Sequence, residues 1–148
     1  MLRVILLTLA LLIPQVAKAS NDPTTCLAAT IAYEARGESL EGKIAVAQVV
    51  LNRVKNPNRP RTICGVVKEP NQFSWVKSIR NPFSNWKLIS SEFDLASDIL
   101  NGEYDDVTNG AEYFHTKDVK PGWTKNLQRL NVIGSHRFYK NKAYRKKK

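Results

Sequence analysis

The stretch that most constrains this chain is Leu40–Val54, which reads Leu-Glu-Gly-Lys-Ile-Ala-Val-Ala-Gln-Val-Val-Leu-Asn-Arg-Val. Wound as a helix, it carries two apolar faces. Val46, Val49 and Val50 make one, and Ile44, Ala47, Leu51 and Val54 make the other. A helix apolar on both sides has to lie between two layers of other structure. At 148 residues the chain is long enough to close a single domain around it. Ser39 is placed to cap the start of this helix, and Asn56-Pro57-Asn58-Arg59-Pro60-Arg61 ends it as a loop. Arg53 extends the valine stripe, so its guanidinium is positioned to reach a carboxylate near the preceding helix.

That preceding helix is expected to start at Asp22-Pro23, with Asp22 as cap and Pro23 at the first helical position. From Cys26 to Glu38 the spacing puts Leu27, Ile31, Glu34 and Glu38 on one stripe. An apolar stripe that turns acidic at its C-terminal end is costly, because burial and the negative end of the helix dipole both disfavour a carboxylate. The same environment raises a carboxyl pKa, which is what a general acid working at neutral pH requires. Glu34 is therefore the candidate acid. The bland alternative is a solvated acidic pair, with Gly37 ending the helix so that Glu38 never faces the core.

Residues 1–19 read as an export leader. Arg3 is followed by an apolar run from Val4 to Ile13, and Ala17-Lys18-Ala19 forms a small-x-small cleavage site. A retained anchor is the alternative, but the run is short for a bilayer span. The expected organisation is a leader at 1–19, a catalytic domain at 20–139 and a basic tail at 140–148. The chain has 23 basic and 13 acidic residues, a net charge of +10; the leader holds two bases and no acid, so its removal leaves +8. For an exported protein this points to anionic wall polymers as partners, with nucleic acid not expected. The tail, six bases without an acid, is a solvated run or an electrostatic tether to an anionic wall or membrane. Cys26 and Cys64 are expected to pair in an oxidising compartment, the alternative being two small buried hydrophobes. Two cysteines at this spacing and two distant histidines do not make a zinc site. No metal or other cofactor is expected.

Further along, Thr62–Val67 is short, β-branched and broken by Gly65, which predicts strand or loop. Gln72-Phe73-Ser74-Trp75 mixes aromatic and polar groups as carbohydrate sites do; Phe73 and Trp75 are equally suited to a core. A third helix is expected from Ser90 or Ser91 to Leu100, ended by Asn101-Gly102. Ile79–Trp86 reads as irregular, and Pro121-Gly122-Trp123 as a turn with an exposed or cleft-lining indole. Ala111–His115, Arg129–Gly134 and His136–Tyr139 alternate enough for a small antiparallel sheet. Helices first and short strands last make an α+β domain.

Four segments in order resemble the spore-cortex-lytic and cell-wall hydrolase family. They are Ala32–Glu38 with Glu41-Gly42, Val46–Val54, Gln72–Trp75, and Gly110–His115 together with Ile133–Tyr139. The resemblance implies a lysozyme-like α+β catalytic domain that cleaves peptidoglycan glycan strands, commonly as a lytic transglycosylase. It puts the catalytic glutamate on Glu34 and matches Glu38 to the family's second acid, a supporting residue; Tyr33 and Arg53 are expected to support Glu34 as well. Gln72, Phe73, Ser74, Trp75, Tyr113, His115, His136 and Tyr139 become expected substrate contacts, in a monomer. Two acids on one helix stripe stand about 5–6 Å apart and do not flank a scissile bond from opposite sides. A single-acid mechanism fits better. A muramidase-type hydrolase, a zinc or cysteine-histidine peptidase, and a non-catalytic binder of wall glycan are the rivals.

Overall fold

The computed structural model describes residues 21–142; the expected leader at 1–19 and the last six residues of the expected tail lie outside that range. Six helices come first, α1 Pro23–Ala35, α2 Leu40–Lys55, α3 Ile63–Val67, α4 Trp75–Ser78, α5 Trp86–Ile89 and α6 Phe93–Leu100. Three strands follow, β1 Tyr113–Thr116, β2 Leu127–Ile133 and β3 His136–Asn141. Short 3₁₀ turns stand at Pro82–Ser84, at Ser90–Glu92 ahead of α6, and at Gly122–Asn126. The expected α+β architecture is the one the chain adopts.

Local chemistry explains the helix starts. The Asp22 carboxylate accepts from the backbone N–H of Thr25 at 2.7 Å and from its hydroxyl at 2.8 Å, and Pro23 needs no donor there. Ser39 accepts from Gly42 N–H at the start of α2. The α1 stripe is broader than the sequence spacing predicts. Every residue from Thr25 to Ala32 is buried, because small Ala28, Ala29 and Ala32 let α2, α3, α5 and α6 close round the helix. The main core thus forms around α1.

α2 is the wall between that core and a second one, as a helix apolar on two sides must be. The faces divide differently from the expected grouping: Val50 joins Ile44 and Ala47 in the helical core, whereas Val49, with Ala45, packs with Ala111, Ile133 and Phe138 under the sheet. Thr62–Val67 corrects the strand-or-loop reading: it is helical, as α3. Thr62 caps it by accepting from Gly65 N–H at 3.0 Å, and Val66 and Val67 are fully buried. Cys64 is disulfide-bonded to Cys26 of α1, 38 residues away, which fastens the short helix to the main core. Burial and capping here override β propensity. A β-carbon at Gly65 would crowd Thr62 Oγ1 at 2.7 Å and Pro60 at 2.9 Å, so the approach needs glycine.

The sheet order is β1-β3-β2, all antiparallel, with a bulge in β2 between Arg129 and Val132. Tyr113 pairs with Tyr139 and Phe114 with Phe138, so alternate positions face opposite sides. Phe114, Phe138 and His136 make one aromatic group, and Tyr113, His115, Tyr139 and Trp123 another. β3 runs on to Asn141, so Lys140 and Asn141 are sheet residues rather than the beginning of the tail. The last turns of α2 hold the start of β1. Asn52 Nδ2 donates to Asp106 at 2.9 Å and to the Ala111 carbonyl at 3.0 Å, and Arg53 Nε donates to the Glu112 carbonyl at 2.7 Å.

Candidate active site

Two clefts run beside β1, one of the two edge strands of the sheet. The first, of about 570 Å³, is lined by Glu34, Arg53, Gln72, Phe114, His115 and His136 among others. Glu34 is the one carboxylate on its lining among the described residues. Its carboxyl is pushed above the ordinary range by burial; the Trp75 indole N–H and the Arg53 guanidinium act in the opposite direction. The Trp75 Nε1–H is buried and makes no hydrogen bond of ordinary geometry.

Arg53 sits in the cleft wall at 4% exposure, with its guanidinium 5.3 Å from the centre of the Phe73 ring. Burial, reinforced by Arg59, holds its pKa down to about 10, so it remains a cation at neutral pH. Its charge acts on the Glu34 carboxylate of α1 and couples to Glu69 and Glu112, while its direct bond goes to the Glu112 carbonyl.

Glu38 does not share the helix of Glu34. α1 closes at Ala35, and Glu38 stands in the following turn, its N–H bonded back to the Ala35 carbonyl at 3.0 Å. This corrects the shared-stripe reading, and it removes the side-by-side acid pair. The carboxylate instead ties the α1–α2 turn to the β2–β3 turn. It accepts from Ser135 N–H at 3.2 Å and from the Ser135 hydroxyl, and those bonds lower its pKa. Gly134 permits this approach. Its φ is +57°, and a β-carbon there would overlap the Glu38 carboxylate.

His136 Nδ1 lies 3.6 Å from Glu38 Oε1 and is otherwise unpaired, with the ring edge-on to Phe114. Burial lowers its pKa against the pull of Glu38, and His115 adds to the lowering, so the ring is neutral at neutral pH. His115 Nδ1 faces the Thr116 carbonyl at 2.7 Å and Nε2 faces the Tyr139 hydroxyl at 2.9 Å. That network assigns the proton to Nδ1 and makes Nε2 the acceptor.

The remaining expected residues divide. Gln72, Phe73 and Ser74 line the first cleft with His115 and His136, although Phe73 is only 4% exposed. Trp75 is core: stacked on Tyr33 with ring centres 4.7 Å apart, it reaches the site only through its N–H. Tyr33 also donates to the Pro82 carbonyl at 3.1 Å and so fixes the turn beyond α4. Tyr139 is buried behind His115, and Tyr113 lines the second cleft, of about 420 Å³. Ser135, Phe114 and Lys77 escaped the sequence reading. Ser135 and Phe114 stood inside blocks that already drew attention; Lys77 carried no separate signal. Among the described residues no group of three His, Cys, Asp or Glu is arranged to hold a metal ion.

The chain is similar to proteins of known structure and role. Spore cortex-lytic enzyme of Oceanobacillus iheyensis is 32% identical over 125 residues, 82% of this chain but 42% of that protein. The chain therefore spans less than half the length of this relative. The catalytic domain of the germination-specific lytic transglycosylase SleB from Bacillus anthracis superposes with a TM-score of 0.69 at 29% identity, covering 86% of this chain and all of that one. The catalytic domain of the Bacillus cereus SleB protein gives 0.62 at 31% identity, over 80% of this chain and 90% of that one. The helical core with a small antiparallel sheet is thus the fold of those catalytic domains. The cell wall hydrolase signature matches residues 37–139, beginning three positions after Glu34. On that match, and on the fold it shares with these domains, the chain belongs to the cell wall hydrolase family.

Proposed function

We propose that this domain cleaves the glycan strand of peptidoglycan as a lytic transglycosylase in which Glu34 is both acid and base. The observation that carries the reading is a single carboxylate on the cleft wall, raised in pKa by burial, with no second acid on that lining among the described residues. A two-carboxylate glycosidase needs a partner across the scissile bond, and Glu38 is engaged with Ser135 instead. Protonated Glu34 gives its proton to the glycosidic oxygen as that bond breaks. The carboxylate then takes the proton from the muramoyl 6-hydroxyl, whose oxygen bonds to the anomeric carbon and closes a 1,6-anhydro ring. Arg53 and the Trp75 N–H stabilise the carboxylate between these steps, and Glu38 holds the β2–β3 turn at Ser135, next to His136 at the start of β3. The similarity to a neighbour described as a lytic transglycosylase supports this outcome over hydrolysis.

The substrate places the protein outside the cytoplasm, with the leader removed near Ala19 and the tail bound electrostatically to an anionic wall or membrane. Among the described residues no helix is long and apolar enough to cross a membrane. The test is mass spectrometry of fragments released from purified peptidoglycan by the protein and by Glu34→Gln. Anhydromuropeptides from the unmodified protein alone are expected, with a loss of about 10²–10⁴-fold or more in the variant. Reducing ends would mean water replaces the 6-hydroxyl. Undiminished lysis by Glu34→Gln would refute the single-acid mechanism.

A further inference from the structure

The charge of the chain is unevenly placed. Residues 21–112 hold ten bases and twelve acids, a net charge of −2. Residues 113–142 hold seven bases and a lone acid, Asp118, a net charge of +6, and the last six residues add four more bases. The positive excess of the domain therefore belongs to the sheet and the loops beside it.

The strand register decides where those bases stand. Tyr113 and Arg129 are both opposite Tyr139, and His115 and Val132 are both opposite Arg137. Directly opposed residues share a face, as do positions two apart on β3, so these six lie on one side of the sheet. Ile133 and Phe138 lie on the other, packed with Val49. Trp123 covers the β1 half of the outer face, its ring centre 5.7 Å from that of His115 and 5.9 Å from that of Tyr139. The β2 half is open, with Arg129 and Val132 exposed. The loop after β1 adds exposed Lys117, Val119 and Lys120, and the Lys117 N–H donates to the Ser135 carbonyl at 2.8 Å, which ties that loop to the β2–β3 turn. At the far end of the strands Lys142 Nζ donates to the Lys125 carbonyl at 3.3 Å, so those two residues stand together.

Apolar groups are exposed among these bases. Of the five large apolar side chains that are exposed among the described residues, Val119, Trp123 and Val132 belong to this part of the chain. A soluble polyanion would neutralise the cations and leave the valines in water. A bilayer surface accommodates both, because its phosphates attract the bases while its interface takes up the apolar groups. We infer that the outer face of the sheet, with the loop at Lys117–Lys120, docks on a bilayer rich in anionic phospholipid. This extends the electrostatic contact proposed for the tail to the folded domain, and it does not rest on the cleavage reading.

The probe is vesicles of equal parts phosphatidylcholine and phosphatidylglycerol, co-sedimented with the chain from Ser20 onward so that the apolar run Val4–Ile13 contributes nothing. Binding to these vesicles, and not to phosphatidylcholine alone, is expected. Lys120→Gln, Lys125→Gln and Arg129→Gln together weaken it about 10²-fold, from the attraction of each charge to an anionic leaflet. The charge-conserving set Lys120→Arg, Lys125→Arg and Arg129→Lys binds like the unmodified protein. Val119→Ser with Val132→Ser weakens binding about fivefold. The melting temperature of the glutamine variant stays within about 2 °C of its parent, since all three side chains are exposed. Independently of any variant, raising the salt from about 0.1 M to about 1 M releases the unmodified protein. A loss smaller than tenfold in the glutamine variant, equal binding to phosphatidylcholine, retention at high salt, or loss of all binding on removing residues 143–148 alone each overturns the inference. Equal affinity per phosphate for a soluble glycerol phosphate polymer, with the valine substitutions silent, overturns it in favour of a wall polymer. Glu34→Gln binds the vesicles like the unmodified protein whether or not it releases wall fragments, so this reading and the cleavage reading stand or fall separately.

Discussion

Breaking the Cys26–Cys64 bridge should cost the domain much of its stability and leave its chemistry nearly untouched. The bridge joins positions 38 residues apart. In the chain-entropy model, releasing a loop of that length frees the unfolded chain by about 4 kcal/mol. For a domain of this size the entropy of unfolding converts that into a fall of about 15 °C in melting temperature. Reduction by dithiothreitol and the double substitution Cys26→Ala, Cys64→Ala should agree to within about 1–2 kcal/mol. The substitution is the more costly, because it also removes two buried sulfur atoms and leaves small gaps. The assay is circular dichroism melting, with peptide mapping under non-reducing conditions to establish that the starting bridge is intact. Below the transition, fragment release should remain within about twofold. Cys26 lies in the first turns of α1 and Glu34 at its far end, eight residues or about 12 Å along the axis. An intact bridge whose loss lowers the melting temperature by less than about 4 °C would refute the loop-entropy reasoning.

Three further substitutions probe the acids. Burial raises the folded pKa of Glu34 above its ordinary value, so the fold favours its neutral form. Its stabilising contribution is complete below the unfolded pKa and is lost as pH rises through the folded one. Glu34→Gln should therefore melt with the unmodified protein in acid and above it at neutral pH; melting curves that stay parallel across the range would contradict this. Gly134→Ala should lower stability by about 2–3 kcal/mol, from a positive φ that costs about 1–2 kcal/mol and from weakened Glu38–Ser135 bonds. Ser135→Ala should show less than half that loss in a thermal melt, since it removes only the hydroxyl partner.

Several features were legible in the sequence because their causes are local. Asp22-Pro23 and Ser39 announce helix starts, since a cap acts within three residues. The two apolar faces of Leu40–Val54 required a helix between layers, and α2 separates two cores. Spacing alone made Glu34 stand out, as a carboxyl at the end of an apolar run. Where local signals misled, a distant contact had intervened. The β-branched Ile63–Val67 became a helix because a cap and a disulfide to α1 set its place. Glu38 left the helix because its carboxylate is held by Ser135, ninety-seven residues on.

By itself, then, the sequence determined the main helices, the cysteine pair, the α+β class and the family, all of which follow from periodicity, composition and short motifs. Tertiary structure alone decided how Glu34, Arg53 and Trp75 converge, coming as they do from three separate helices. It also decided that Trp75 is core. The Pro121-Gly122 turn already marked Trp123 as exposed or cleft-lining, whereas the neighbours of Trp75 suit a core and a site equally, because burial is set by what the fold brings against the ring. The environment that raises the Glu34 pKa has the same origin: burial and charge act through space, across distances that sequence order does not measure.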